Sequence, residues 1–269
     1  MAEQIVPDFM VQLSRALEHK PLSHPSDQLG LLGGRLSGIR WAFAHGSKSH
    51  AELLVLTDAL ERDLISWSEK QSLPGSSCSF RIVQDTDSPR SLHGTRHVYN
   101  TPQARSYWNH WRLVRILLSR THEAIWRRSW PVLASPERQI PDTEHFRTIR
   151  NCMASELCIA TADEIGGDPN GIPGPGSVAG GLMVVVPLVI AGTVFIEQLA
   201  EVHVSPSGRR LIHMDRPLHL DPFNSSSTQL SWIVDMIEHI SQSIGIQWAN
   251  TGSIFIKGES GLYYDLCRA

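Results

Sequence analysis

Residues 101–131 read TPQARSYWNHWRLVRILLSRTHEAIWRRSWP, and this stretch decides the fold class. Thr101 offers a hydroxyl cap and Pro102 has no backbone N–H to lose, so the pair predicts the start of a helix. Pro131 is predicted to end this helix at about Trp130. At about 100° per residue, apolar side chains and arginines fall on two different sides of it. The stretch is therefore a long amphipathic helix with one packed side.

The two sides of this helix carry different chemistry. The basic side carries Arg105, Arg112, Arg115, Arg120 and Arg127. The opposite, packed side carries Tyr107, Trp111, Leu113, Val114, Leu117, Leu118 and Ile125. We expect the basic side to pair with acidic neighbours such as Glu61 and Asp63 or to remain solvated. The alternative is that it meets an anionic ligand or partner.

Further helices are predicted on both sides of this one in the chain. Apolar spacing and composition indicate helices over 8–20, 27–46, 50–69, 142–165, 179–201 and 228–244. The alternation typical of a sheet is nearly absent, apart from a short extended piece at Phe80–Val83. Residues 166–180 predict a Gly/Pro-rich loop, and residues 202–224 predict an irregular segment. The sequence thus predicts a single all-α domain over 1–269, with about seven or eight helices packed around the 179–201 helix.

Composition narrows the classes of function. The chain has 269 residues, of which 41% are hydrophobic and 19% charged, with a formal net charge of -3. Such a balance is ordinary for a globular protein and argues against direct nucleic-acid binding, which usually needs a basic excess. The N-terminus lacks the layout of a signal peptide, and the apolar run 181–196 is too short for a membrane span. We expect an intracellular protein, cytoplasmic or nuclear, without membrane association.

Histidines are the residues through which this chain offers acid–base chemistry, since it contains 13 of them. His97, His110 and His213 are the candidate general acids or bases, and ordinary surface histidines are the alternative. The four cysteines form no C-x2-C pair, and neither H-E-x-x-H nor G-x-S-x-G occurs. We therefore expect no metal and no cofactor.

Tryptophans are the second unusual feature, because four of the eight lie on or beside the 102–130 helix. An indole ring combines a large apolar area with one hydrogen-bond donor, which suits a ligand cavity. It suits a plain core equally well, and the core is the favoured interpretation. The candidate ligand-binding residues are Tyr107, Trp108, Trp111, Arg112 and Arg115.

Residues 97–125 resemble a segment of the fungal zinc-cluster (six-cysteine) transcription factors, through a His-x-Tyr, a Trp-Asn and an Arg-x-x-Arg-Ile-Leu-Leu pattern. LTDALERDLISW, RTIRNCMASELCIAT, GGLMVVVPLVIAG and WIVDMIEHISQSIGIQWA are similar to further segments of that family, in the same order. The resemblance covers residues 50–250. It implies an all-α regulatory domain that senses effectors or partners and has no shared catalytic residues. The family's DNA-binding cysteine cluster is missing here, so the chain is either an excised regulatory domain or a short relative without DNA binding.

Three functional hypotheses result. The leading one is a regulatory, effector-binding domain without DNA binding, which recognises a small metabolite or a protein partner. The alternative is a cofactor-free enzyme of secondary metabolism, such as a cyclase, isomerase or lyase. In that case a histidine would act as acid or base in a tryptophan-lined pocket. The third is a homodimerisation module, which should expose an apolar patch.

Overall fold

The computed structural model describes residues 24–84, 92, 94–133, 143–165, 177–202, 226–243 and 249–256. These residues form seven α-helices and one two-stranded sheet, which confirms the predicted all-α class. The contacts divide the chain into two compact units. Met1–Ser79 and Tyr99–Ile149 make up the first unit, and Phe80–Val98 and Arg150–Ala269 make up the second. That the whole chain acts as one domain stays a prediction, and the helix expected over 8–20 lies outside the described residues.

The first unit is built on a bundle of three helices, α1 (Pro25–His45), α2 (His50–Ser72) and α3 (Pro102–Leu133). Phe43 near the end of α1 packs against His50 at the start of α2, and Trp67 late in α2 donates to the carbonyl of Pro25 at the start of α1, so these two helices are antiparallel. The predicted helices over 27–46 and 50–69 are confirmed. Their buried faces consist of leucines, an isoleucine and other core residues spaced three or four apart.

Helix α3 runs back along α2. Trp111, early in α3, donates to the carbonyl of Leu64, which lies late in α2. His122, late in α3, approaches Asp58 in the first half of α2. The bundle therefore alternates in direction, and the late turns of α3 lie beside the corner where α1 ends and α2 begins.

The ends of these helices follow from local chemistry. Helix α1 stops at Gly46, whose φ of 62° lies in the left-handed region that favours glycine. The Thr101 hydroxyl accepts a hydrogen bond from the backbone N–H of Ala104, 3.0 Å away, as the predicted cap requires. The predicted end at Pro131 is wrong, because α3 continues to Leu133. A proline in the last turn lacks the N–H that would bond to the carbonyl four residues earlier, and only two helical residues follow it.

The second unit holds the sheet and most of the remaining helices. Strands β1 and β2 pair, and α4 starts within the first unit. The elements are β1 (Phe80–Gln84), β2 (Thr95–Tyr99), α4 (Glu144–Ile165), α5 (Ser177–Val202), α6 (Ser226–Ser243) and α7 (Ala249–Ile256). The extended piece at Phe80–Val83 is confirmed as β1, whereas β2 and α7 were not predicted. The prediction of a loop over 166–180 is wrong from Ser177 onward, because α5 begins there. The irregular segment predicted over 202–224 lies almost wholly outside the described residues.

Helix α5 packs against α6 and α7, and glycines without a side chain lie at the contact between α5 and α7. A Cβ on Gly192 of α5 would lie 2.8 Å from Cδ1 of Ile256, and a Cβ on Gly252 of α7 would lie 2.8 Å from Cγ2 of Val189. Both glycines are therefore needed for the close approach of the two helices. Despite its apolar composition, α5 is not suited to cross a bilayer, and neither is any other helix in the described part of the chain.

Replacing Gly252 by alanine should lower the stability of the second unit by about 1–3 kcal/mol, because the added methyl group overpacks the contact with Val189. The matched control is Gly38→Ala in α1, where a Cβ meets no atom within 4 Å. That control should gain about 0.5–1 kcal/mol from helix propensity. Urea denaturation followed by circular dichroism measures both changes. Equal stabilisation by the two substitutions would contradict the packing account.

Candidate functional site

The tryptophans proposed to line a ligand site are packed inside the bundle of the first unit. Trp108 and Trp111 are buried, and their ring centroids lie 5.3 Å apart in an edge-to-face arrangement. Trp67 of α2 extends the cluster, with its centroid 5.4 Å from that of Trp108. Each indole N–H donates to a backbone carbonyl: Trp67 to Pro25, Trp108 to Cys78 and Trp111 to Leu64. These donors are already used within the protein.

Arg112 lies within the same cluster and is fully buried. Its guanidinium donates to the hydroxyl of Tyr99 at 3.0 Å and to the side-chain carbonyl of Asn109 at 3.3 Å. Its Cζ also lies 5.7 Å from the ring centroid of Trp108, within the range of a cation–π contact. The expectation of a solvated basic side is thus wrong for Arg112. Helix α3 buries side chains on its supposed polar side too, among them Ile116 and Ser119.

Arg115 has the partner that the sequence suggested. Its guanidinium pairs with the carboxylate of Glu61 on α2 and lies over the ring of Trp111, 5.0 Å from the centroid. The predicted pairing with Glu61 is confirmed. The other suggested acid, Asp63, pairs with Arg35 of α1 at 2.5 Å.

Tyr107 is half-buried on a different side of α3. Its ring meets that of His24 edge to face, with the centroids 5.9 Å apart, next to the start of α1. Tyr107 and Trp108 are consecutive and therefore point to sides of the helix about 100° apart. The structure brings Trp108, Trp111, Arg112 and Arg115 into one cluster and leaves Tyr107 at its margin.

The two candidate acid–base residues that the structure describes belong to different compact units. His97 is buried in β2 of the second unit, with its ring centroid 4.6 Å from that of Phe80. His110 belongs to α3 of the first unit, where a Cβ on Gly33 would lie 3.4 Å from its Nε2. Its side chain is exposed as a whole, but the inner edge of the ring faces protein, and this desolvation lowers the pKa of His110. His213 lies outside the described residues.

One ionisable pair in the first unit was missed by the sequence interpretation. Nε2 of His122 on α3 lies 3.5 Å from a carboxylate oxygen of Asp58 on α2. The ring of His122 also packs on Phe146, with centroids 4.9 Å apart. Desolvation lowers the pKa of His122; Asp58 and Glu61 oppose this effect, and His145 adds to it. In the sequence, His122 is spaced three or four residues from Ser119 and Trp126. This spacing indicates which side of the helix it lies on, but it does not identify Asp58 as its partner.

A metal centre finds no support in the described part of the chain. No group of three or more histidine, cysteine, aspartate or glutamate side chains converges there as metal ligands would. Cys78 and Cys158 are buried free thiols, and burial strongly raises the pKa of Cys158. Cys152 is a free thiol that is exposed.

Truncation of the buried arginine should be costly. Arg112→Ala is expected to lower the free energy of unfolding by about 3 kcal/mol, because it leaves a cavity and removes the donor to Tyr99 and Asn109. Arg127→Ala is the control, since Arg127 is exposed and pairs with Glu123 one turn away on the same helix. That change should cost at most about 0.5 kcal/mol. Urea titration with tryptophan fluorescence measures both; equal effects would refute the structural role of Arg112.

The lowered pKa of His122 predicts acid sensitivity. The unfolded chain, in which histidine titrates near about 6.5, binds the proton more tightly than the folded chain does. The stability contributed by neutral His122 is therefore present above that value and is lost as the pH falls through the folded pKa. The urea midpoint should fall between about pH 7 and pH 5.5, above the range of most carboxylates. His122→Gln should make this fall smaller, and an unchanged slope would contradict the assignment.

Comparison with known proteins gives no external guide to the site. The chain matches no protein-family model, no curated protein and no solved structure. The resemblance of residues 97–125 to the fungal zinc-cluster transcription factors accordingly stays a prediction.

Proposed function

We propose that the chain is a regulatory-type binding module without a DNA-binding cluster, and that it recognises a partner through its surface without converting it chemically. One observation carries the proposal. The polar groups that an enclosed ligand would need on α3 end on protein acceptors: the indole donors on backbone carbonyls, and Arg112 on Tyr99 and Asn109. A cluster whose donors are used in this way serves the fold. Recognition then falls to the surface of the unit.

The enzyme hypothesis ranks second because its parts point in different directions. It needs an acid or base within reach of a tryptophan-lined pocket. On α3, His110 stands two residues from Trp108, which places the two side chains on sides of the helix about 200° apart. His110 faces Gly33 of α1, whereas Trp108 faces Trp67 of α2.

The dimerisation hypothesis ranks third. It requires a contiguous apolar patch, and the most obvious candidates are the exposed side chains of α2. Val55, Leu56 and Ile65 are exposed there, but successive positions of a helix diverge by about 100°. They are spread over the outer half of α2 and form no single stripe.

The deciding experiment uses the full chain immobilised and incubated with an extract of the cells that make it. Mass spectrometry then follows both the small molecules of the extract and the molecules held on the protein. We expect a protein or metabolite to be retained unchanged. Consumption of a compound with release of a product would support the enzyme hypothesis instead. The control is the chain unfolded in urea and kept unfolded during the incubation, because a chain without its folded surface should retain nothing specific.

A further inference from the structure

A group of cations surrounds one aromatic ring at the corner of the first unit where α1 ends and α2 begins. Phe43 is the ring, half-buried near the end of α1. Arg40, Lys48 and Arg128 are exposed around it, and His50 is half-buried at the start of α2. We call Arg40, Phe43, Lys48, His50 and Arg128 the cationic corner.

Arg128 is the best-positioned cation of this corner. Its Cζ lies 5.5 Å from the ring centroid of Phe43, so the guanidinium is held by a cation–π contact. Such a contact uses the face of the guanidinium and leaves the N–H groups at its edge able to donate hydrogen bonds. Those groups form the planar fork that binds a carboxylate with two parallel hydrogen bonds.

Arg128 differs from other arginines of the bundle in having no carboxylate partner among the described residues. Arg35, Arg115 and Arg127 each pair with a carboxylate of the bundle. Arg128 and Arg40 have no such partner among the described residues. Arg40 precedes Phe43 by three residues, a spacing that puts two side chains on the same side of a helix. Arg128 therefore lies over the ring, and Arg40 is placed by its spacing on the same side of α1, both without a carboxylate partner among the described residues.

The remaining charges of the corner add to this excess. Lys48 lies in the turn between the two helices, and the ring of His50 has its centroid 6.2 Å from that of Phe43. The nearby acid is Glu52, but its carboxylate accepts from the backbone N–H and the hydroxyl of Ser49 at 2.9 and 2.7 Å. This capping box holds the carboxylate at the start of α2, where the hydrogen bonds from Ser49 and, to a lesser extent, the charge of Lys48 lower the pKa of Glu52. The corner is thus positive on a chain whose net charge is -3.

One exposed aromatic side chain lies near the corner in the chain but on another side of α1, because Trp41 and Phe43 are two residues and therefore about 200° apart. Trp41 is 43% exposed on the same turn of α1, and its ring is stacked on His45 with centroids 4.5 Å apart. A nucleic acid would meet the same residue types, but its binding needs a broader basic surface than a chain of this net charge offers.

We propose that the cationic corner binds an acidic segment of a partner protein, with carboxylates on Arg40 and Arg128. The inference rests on the proposed function, since it names the class of partner that the binding module takes. Opposite charge would speed the encounter and select for acidic segments. The exposed position suits a peptide chain, whereas a small ligand would be enclosed.

The test measures fluorescence anisotropy of a short labelled peptide of alternating glutamate and leucine added to the full chain. The double variant Arg40→Glu, Arg128→Glu should weaken binding at least about tenfold, because two carboxylate contacts become repulsive. The control variant Arg62→Glu, Lys70→Glu makes the same change in net charge at exposed positions of α2 outside the corner, and should retain most of the affinity. Phe43→Leu keeps every charge and should weaken binding several-fold by releasing Arg128.

Three outcomes would overturn the inference. One is absence of peptide binding by the unaltered chain, and another is an equal loss in both double variants, which would indicate a general charge effect. The third is tighter binding of a labelled oligouridylate than of the peptide, which would indicate a nucleic-acid surface. Retention of a partner from extract by the Arg40→Glu, Arg128→Glu variant would refute the corner and leave the proposed function standing. Retention of nothing by the unaltered chain would count against the function itself.

Discussion

Hydrogen bonding of three buried indole N–H groups is the constraint on which the first unit depends. A buried donor without an acceptor costs about 1–3 kcal/mol, so each ring must sit where a carbonyl is available. The three acceptors belong to the start of α1, to the turn after α2 and to α2 itself. The bond from Trp67 sets the register of α2 against α1, and the bonds from Trp108 and Trp111 set the direction and register of α3 against α2 and the turn after it. The edge-to-face contacts between Trp67, Trp108 and Trp111 add to the stability of that arrangement.

Burial of Arg112 is a consequence of this packing. A cation removed from water is costly unless hydrogen bonds and nearby π electrons replace its hydration. Tyr99, Asn109 and the ring of Trp108 provide those contacts. Tyr99 closes β2 and stands just before α3, so the bond from Arg112 holds the entry of the chain into that helix. A guanidinium with five donors in a fixed plane is suited to this positioning role, which lysine could not reproduce.

Local pattern predicted much of the fold and little of the site. Helix α2, the cap at Thr101 and the helix over 142–165 depend on neighbours within a few positions, which a sequence displays directly. The burial of Arg112 depends on contacts that a helical projection cannot contain, since it assumes that only one side of α3 is covered. The pairing of His122 with Asp58 likewise joins two helices, and spacing along the chain gives no sign of it. Strand β2 and helix α7 were not predicted because both are short, and short elements depend on packing more than on local sequence pattern.

The distribution of arginine partners separates structure from recognition in this bundle. Arginines whose carboxylates come from the bundle, such as Arg115 with Glu61, stabilise the contact between helices and have their charge compensated within the protein. Arg128 is held in place by a neutral ring, so its orientation is fixed while its charge is not neutralised. An exposed guanidinium remains hydrated and costs the fold almost nothing, whereas a fixed orientation lowers the entropy lost when an anion binds. The physical signature of a recognition surface is therefore order without charge compensation, and in the first unit the cationic corner combines the two.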